Sequence, residues 1–457
     1  MTATHDDARG TLVLIGGALD EHPGILDRIV QLAASASPAP GRPPRIAILT
    51  TASEPARSAD DETTNDPGVE HDAADGRYYA ALFARHGAEG VPIPVGVAAA
   101  PRFPGQRYLA EHAERAELAA LVDSCDGVFL GGGDQTHYVL ALHRSTGAAA
   151  SAGAPPFGER RDTPVLTAIR GVLARGGVVA GTSAGLAVQQ GAGMVSGGGV
   201  HESWRLGAEV GYADDERLRY VPAGGLGLFP EALLDSHFAE WGRLPRAIRL
   251  ARALGRGSLV GVDEHTALVY DRATRRGEVI GERGVHLVDV TESEETDVDA
   301  SAARSVGAAD AGDAVTGVRW SRLLHGDAID FGAGRVERAG AVRSGPGAAA
   351  APDPVSDAWA ADGSRPLLRL ATQLLASGAR TAHGDSAESE PRYRTTLCRD
   401  ERTVWTADGG FGELLVSIAP APVTAPPADE LIPTTTAVPI TTAVPITTEE
   451  GAPCPHP

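Results

Sequence analysis

Short apolar runs alternate with amphipathic stretches through the first half of the chain. The runs lie at 11–15 (TLVLI), 45–50 (RIAILT), 127–130 (GVFL) and 177–180 (GVVA), with a weaker one at 91–97. Four of them end in small or glycine-rich turns: Gly16-Gly17, Thr51-Ala52-Ser53, Gly131-Gly132-Gly133 and Gly181-Thr182-Ser183. Between them, 24–34, 76–87, 109–122, 134–143 and 164–175 carry helical spacing. Strand, turn, helix, repeated, predicts an α/β protein with a doubly wound, mostly parallel sheet covered on both faces. Ligands of such sheets sit beyond the carboxyl ends of the strands. The glycine turns at 131–133 and 181–185 both fall there.

Mixed structure follows over 190–290. A polar cluster opens 233–254, which then turns helical with Ile248, Leu250, Ala251 and Leu254 as its stripe. Strands are expected at 259–263 and 266–270, a hairpin or strand over 278–290, and strand patterning again over 315–336. The acidic, Ala-rich stretch 292–314 reads as a loose insertion. The main domain is therefore drawn over 1–340. A small-residue linker at 341–364 and a small C-terminal extension at 365–419 follow, with a helix at 366–376 and strands near 392–396 and 403–406. Residues 420–457 form a Pro/Thr-rich tail in which TTAVPI occurs twice, and disorder is expected there.

The segment Gly181-Thr182-Ser183-Ala184-Gly185 is a G-x-S-x-G. A sharp strand-to-helix turn exposes such a serine, and its glycines let backbone pass closely. A helix beginning at the serine would aim its free N–H groups and positive dipole end at an oxyanion. Gly-Ser turns also arise by chance in a chain with 56 glycines. A nucleophilic serine needs a base and a group to orient that base. Of fourteen histidines, His237 is best placed, in Leu233-Leu234-Asp235-Ser236-His237-Phe238. Arg243 and Arg246, three apart, share a helix face and suit a substrate carboxylate. The order Ser183, Glu202, His237 permits a triad. Asp214 and Asp215 compete with Glu202 for the acid.

Composition narrows the classes. Forty basic against sixty acidic residues leave a net charge of −20. This disfavours nucleic-acid and anionic-membrane partners and favours a cationic substrate. Cys125, Cys398 and Cys454 are too far apart for a zinc pattern or a disulfide framework. The polar, acidic start is no secretory leader, and no apolar stretch reaches the ~20 residues of a membrane span. The expected location is the cytoplasm.

Together these blocks resemble the S51 peptidases, the family of cyanophycinase and the aspartyl dipeptidases. The resemblance is carried by Gly16-Gly17, RIAILTTAS at 45–53, VFLGGGDQ at 128–135, VVAGTSAG at 178–185, LGL at 226–228, DSHF at 235–238 with its arginines, and GVDEHTA at 261–267. It spans roughly 10–335. It implies a sheet akin to class I glutamine amidotransferases, with serine in place of their cysteine. Ser183, His237 and Glu202 would form the triad. The N–H groups of Gly133 and Ala184 would hold the oxyanion, and Gln135, Asp235, Arg243 and Arg246 would bind substrate. No metal or cofactor is implied. The partner would be a peptide, cyanophycin or a β-aspartyl dipeptide, with a homodimer left open. Two positions depart from the cyanophycinase pattern. Ser236 stands for a glutamine, and Trp241 for the first arginine of Arg-Gly-Arg. Losing that guanidinium removes a contact of about 1.5–3 kcal/mol, while Trp241 offers an apolar or cation–π surface. An α/β-hydrolase-type esterase and a non-catalytic binding protein are the competing readings.

Overall fold

The computed structural model describes residues 9–422, except 20–21, 40, 65, 67, 147–157, 213–216 and 297–313. Five strands run parallel in the spatial order Thr11–Ile15 beside Val178–Thr182, Gly127–Leu130, Arg45–Leu49 and Glu89–Pro92. Nearly every residue of the central strands is buried, as a sheet covered on both faces requires.

Alternation along these strands divides the packing in two. Val13, Ile15, Ile46, Ile48 and Phe129 meet Ile25, Ile29, Leu82 and Phe83 of helices Pro23–Ala36 and Asp72–Arg85. Leu12, Leu14, Leu49, Val128 and Leu130 meet Val122, Val139, Ile169 and Val172 of helices Ala116–Asp123, Gln135–Leu142 and Pro164–Ala174. The last helix starts where the sequence dictates: Thr163 caps Leu166 N–H and Pro164 takes the first turn. The expected α/β class with a largely parallel central sheet is what forms.

Beyond Thr11–Ile15 the same sheet continues antiparallel through Thr266–Asp271, Arg276–Gly281, Ala328–Asp330 and Arg335–Glu337. A second, mainly antiparallel sheet holds Leu233–Asp235, Ser258–Val262, Val285–Asp289, Ala314–Leu323, Phe411–Pro420, Tyr393–Cys398 and Thr381–Asp385 in that spatial order. Three expectations change here. The 278–290 region is not a hairpin: its strands belong to different sheets. The 365–419 segment is not a separate extension. Its strand Phe411–Pro420 lies between Ala314–Leu323 and Tyr393–Cys398, and residues up to Ala421 form one unit. Nor does 341–364 behave as a linker. Arg343–Ser344 pairs with Val404–Trp405, and Ala358 and Trp359 are buried in the second core. Of the expected insertion, Glu294–Thr296 pairs with Ala314–Leu323, while 297–313 and the tail from 423 lie outside the described residues. Among the described residues no helix is long and apolar enough to cross a membrane.

Candidate active site

Strand Val178–Thr182 ends at Ser183, whose backbone takes φ 54° and ψ −113°. A non-glycine residue there is strained by roughly 1–3 kcal/mol and must be held from outside. It is held on both sides. Ser183 N–H donates to Ile15 O at 2.9 Å, and both motif glycines are obligatory. A Cβ on Gly181 would collide with Gly185 O, and one on Gly185 with Leu130 O. The helix that follows has only four residues, Ala184–Ala187. The expected dipole is correspondingly small, and any oxyanion contact is a local matter of first-turn N–H groups. The Gly131–Gly133 turn lies alongside: a Cβ on Gly132 would be 3.5 Å from Ser183 Cβ.

His237 also has a positive φ, 45°. It follows strand Leu233–Asp235, and its N–H donates to Gly16 O at 2.9 Å. A Cβ on Gly17 would strike its imidazole and one on Gly16 would strike Asp263 O, which explains why two glycines close the first strand. Nε2 lies 2.8 Å from Ser183 Oγ, and Nδ1 lies 3.0 Å from Glu264 Oε1. With Glu264 ionised, Nδ1 carries the proton and Nε2 accepts from the serine hydroxyl. Burial foremost, with Arg243 nearby, lowers the imidazole pKa against the pull of Glu264. The ring is thus neutral at neutral pH, with Nε2 free of a proton to accept one. Burial would raise Glu264, but its bonds to His237 and Arg283 outweigh that and hold it below the ordinary value.

Glu264 therefore occupies the place expected of Glu202. Glu202 sits on helix Val200–Leu206, where Arg205 Nη2 donates to its Oε2 at 2.7 Å and His201 lies 3.6 Å from Oε1. Asp214 and Asp215 fall outside the described residues. Glu264 belongs to the GVDEHTA block and lies two residues past the end of strand Ser258–Val262. Its position at a strand's carboxyl end is the signal that could have found it. A second layer fixes it: Arg283 Nη1 donates to Glu264 Oε2 at 2.9 Å and to Glu240 Oε1 at 2.8 Å, while Glu264 N–H donates to Glu240 Oε2 at 3.2 Å.

The substrate-binding candidates come together differently from expectation. Asp235 is buried, with Arg246 Nε on Oδ2 at 2.9 Å and Arg246 Nη2 and Arg243 Nη1 on Oδ1 at 2.7 and 2.8 Å. Arg243 also donates to Ser236 O at 2.6 Å, and Arg246 to Gly198 O at 2.9 Å. Burial would raise Asp235, but the two arginines hold it below the usual carboxylate range. Arg246 through all three nitrogens, and Arg243 through Nη1, are turned onto Asp235, Ser236 and Gly198, so they brace the turn that carries His237. Gln135 opens the helix after the glycine turn, and its Nε2 donates to Val195 O at 2.9 Å. Trp241 stacks on His237, with centroids 4.4 Å apart and planes 10° apart. A cleft of about 830 Å³ opens from Gly132 and Gly133, lined among the described residues by Glu54, Asp66, Glu70, Asp75 and Asp134 with one cation, Arg77.

The fold and site define an α/β protein whose serine, histidine and glutamate form one hydrogen-bonded chain at strand ends. By sequence, part of the chain is similar to cyanophycinases. It is 35% identical to cyanophycinase of Trichormus variabilis over 184 residues, 40% of this chain and 51% of that protein. It is 31% identical to that of Synechococcus elongatus over 178 residues, 39% and 46%. The Geminocystis herdmanii cyanophycinase matches at 31% over 169 residues, 37% and 51%. The chain thus matches about half the length of these relatives or less. No family model matches it. Among solved structures, a peptidase from an acI-B1 Actinobacterium superposes with a TM-score of 0.40 at 18% identity, covering 71% of this chain and 98% of that one. A putative peptidase E from Listeria monocytogenes EGD-e gives 0.32 at 13%, covering 60% and 99%.

Proposed function

We propose that this chain is a serine peptidase of the cyanophycinase kind, on a sheet like that of class I glutamine amidotransferases, hydrolysing β-aspartyl bonds. The observation that carries the reading is the continuous chain Ser183 Oγ–His237–Glu264. Ser183 attacks the carbonyl carbon while His237 Nε2 takes its proton. The imidazolium, oriented by Glu264, protonates the leaving amine, and water then cleaves the acyl-enzyme by the same route. The N–H groups of Gly133 and Ala184 are the proposed oxyanion donors. The order serine, histidine, acid differs from the serine, acid, histidine order of α/β-hydrolases, which weighs against the esterase reading.

Cyanophycin, poly-aspartate bearing arginine on each side chain, is the proposed substrate, with β-Asp-Arg dipeptides as products. The carboxylate-lined cleft beside Gly133 supports a cationic side chain, as does the net charge of −20. The test is mass spectrometry of products from cyanophycin and a panel of α- and β-aspartyl dipeptides, beside a chromogenic ester. The expected result is β-Asp-Arg, lost by at least about 10⁴-fold in Ser183→Ala. Folded protein yielding no peptide product from any of them would overturn the reading.

A further inference from the structure

Ser183 and Glu264 hold the His237 imidazole at its two nitrogens, which leaves its faces to other groups. Trp241 covers one of them in a nearly parallel stack. The tryptophan is 43% exposed, so burial of an apolar side chain does not by itself account for the contact. Backbone sets it there instead. Trp241 N–H donates to His237 O at 3.1 Å, and Arg243 N–H closes the turn on Phe238 O at 2.9 Å. Gly242, at φ 56°, lies so near Trp359 that a Cβ would come 2.5 Å from its carbonyl oxygen. Gly363 N–H donates to Glu240 O at 3.0 Å. The turn is thus clamped from inside and by the 359–363 segment.

We propose that Trp241 is a positioning residue of the serine peptidase described above: its ring fixes the imidazole plane and stabilises the imidazolium formed when Ser183 gives up its proton. The inference rests on that reading of Ser183. An indole face carries negative potential and attracts a cation more than a neutral ring, and tryptophan does so best of the aromatic side chains. The contact therefore strengthens as charge develops on His237, the kind of interaction that lowers a barrier instead of merely binding. Other groups act on the same ring. The carboxylates of Glu264 and Asp235 favour the cation and Arg243 opposes it, while Arg283 partly neutralises Glu264 from behind. The Arg243 guanidinium carbon also lies 4.4 Å from the Trp241 ring centre, so the indole contacts one fixed cation and the imidazole that becomes charged when Ser183 gives up its proton.

The experiment uses the full chain as wild type, Trp241→Leu and Trp241→Phe. Leucine keeps apolar cover and loses the π face, and phenylalanine keeps a weaker face. The His237 imidazole is titrated by NMR, and the rate of Ser183 labelling by a fluorophosphonate is followed against pH. In Trp241→Leu the His237 midpoint is expected to fall by about half to one pH unit and kcat by about tenfold, with KM little changed. Phenylalanine is expected in between, and serves alone if the leucine variant does not fold. An unmoved midpoint with wild-type kcat in a folded variant overturns the inference and leaves the serine reading intact. Wild type that neither labels at Ser183 nor turns over any substrate overturns that reading, and the inference with it.

Discussion

At the scale of single residues, the two acidic candidates separate cleanly. Glu264→Gln keeps the shape beside His237 but turns an amide to Nδ1, so the wrong tautomer is favoured and the imidazolium loses its counter-charge. Turnover is expected to fall by about 10³–10⁴-fold with KM nearly unchanged. Glu202→Gln removes a helix-surface pair with Arg205, worth about 0.3–0.5 kcal/mol, and leaves kcat within about threefold. Steady-state kinetics on the two variants decide which carboxylate serves the histidine. The buried arginines give a contrasting forecast. Arg246→Met strips two of the donors from Asp235 and opens a pair that water cannot reach. A loss of about 3 kcal/mol or more is expected in urea unfolding. A direct substrate contact would instead show mainly in KM.

At the scale of elements, the chain changes sheets twice near the site. It leaves strand Ser258–Val262 of the second sheet for Thr266–Asp271 of the first, and leaves Arg276–Gly281 of the first for Val285–Asp289 of the second. Glu264 lies on the first crossing and Arg283 on the second, and they are joined by a hydrogen bond. The acid is therefore placed by the junction of two sheets. Gly16-Gly17 is the third party to that junction, since Gly16 packs against Asp263 and Gly17 against His237. In Gly17→Ala the added methyl meets the imidazole, and alanine is itself strained at φ 133°. Far-ultraviolet circular dichroism should stay as in wild type while kcat falls by about 10²-fold or more, the cost of about 1 Å at the base. Much of this was legible in residues: strand ends, glycine turns, Ser183 and His237 all stand out because strand periodicity and turn chemistry are local. Glu264 was not, because orientation of a base by an acid is a tertiary contact, and Glu202 satisfied spacing equally well. The second sheet was missed for a similar reason. Phe411–Pro420 alternates at Leu414, Val416 and Ile418, but nothing local says that its neighbours lie at 314–323 and 393–398.

At the scale of the whole molecule, a charge of −20 on one chain makes stability a function of pH, and one buried group concentrates the effect. Asp72 opens helix Asp72–Arg85 with no exposed surface. Its Oδ1 accepts from Ala73 N–H at 2.8 Å and Ala56 N–H at 3.4 Å, while Oδ2 has no hydrogen-bond partner among the described residues. Burial above all, with Glu62 and Asp75 adding repulsion, lifts its pKa from 3.8 to about 7 despite those two donors. Between these values the folded protein keeps a proton that the unfolded chain has released. Folding then takes up a proton, so stability falls as pH rises through the window and the loss is complete above about 7. Asn at this position retains an acceptor for both N–H groups and removes the buried charge. Asp72→Asn is therefore expected to match or slightly trail wild type at pH 5 and to overtake it by pH 8. The relative change between the two conditions should be about 2–4 kcal/mol. Urea unfolding of both proteins at the two pH values measures it. Parallel curves, with the same offset at pH 5 and pH 8, would show that Asp72 is ionised in the folded protein across the range and that its helix N-terminus, not protonation, accommodates the charge.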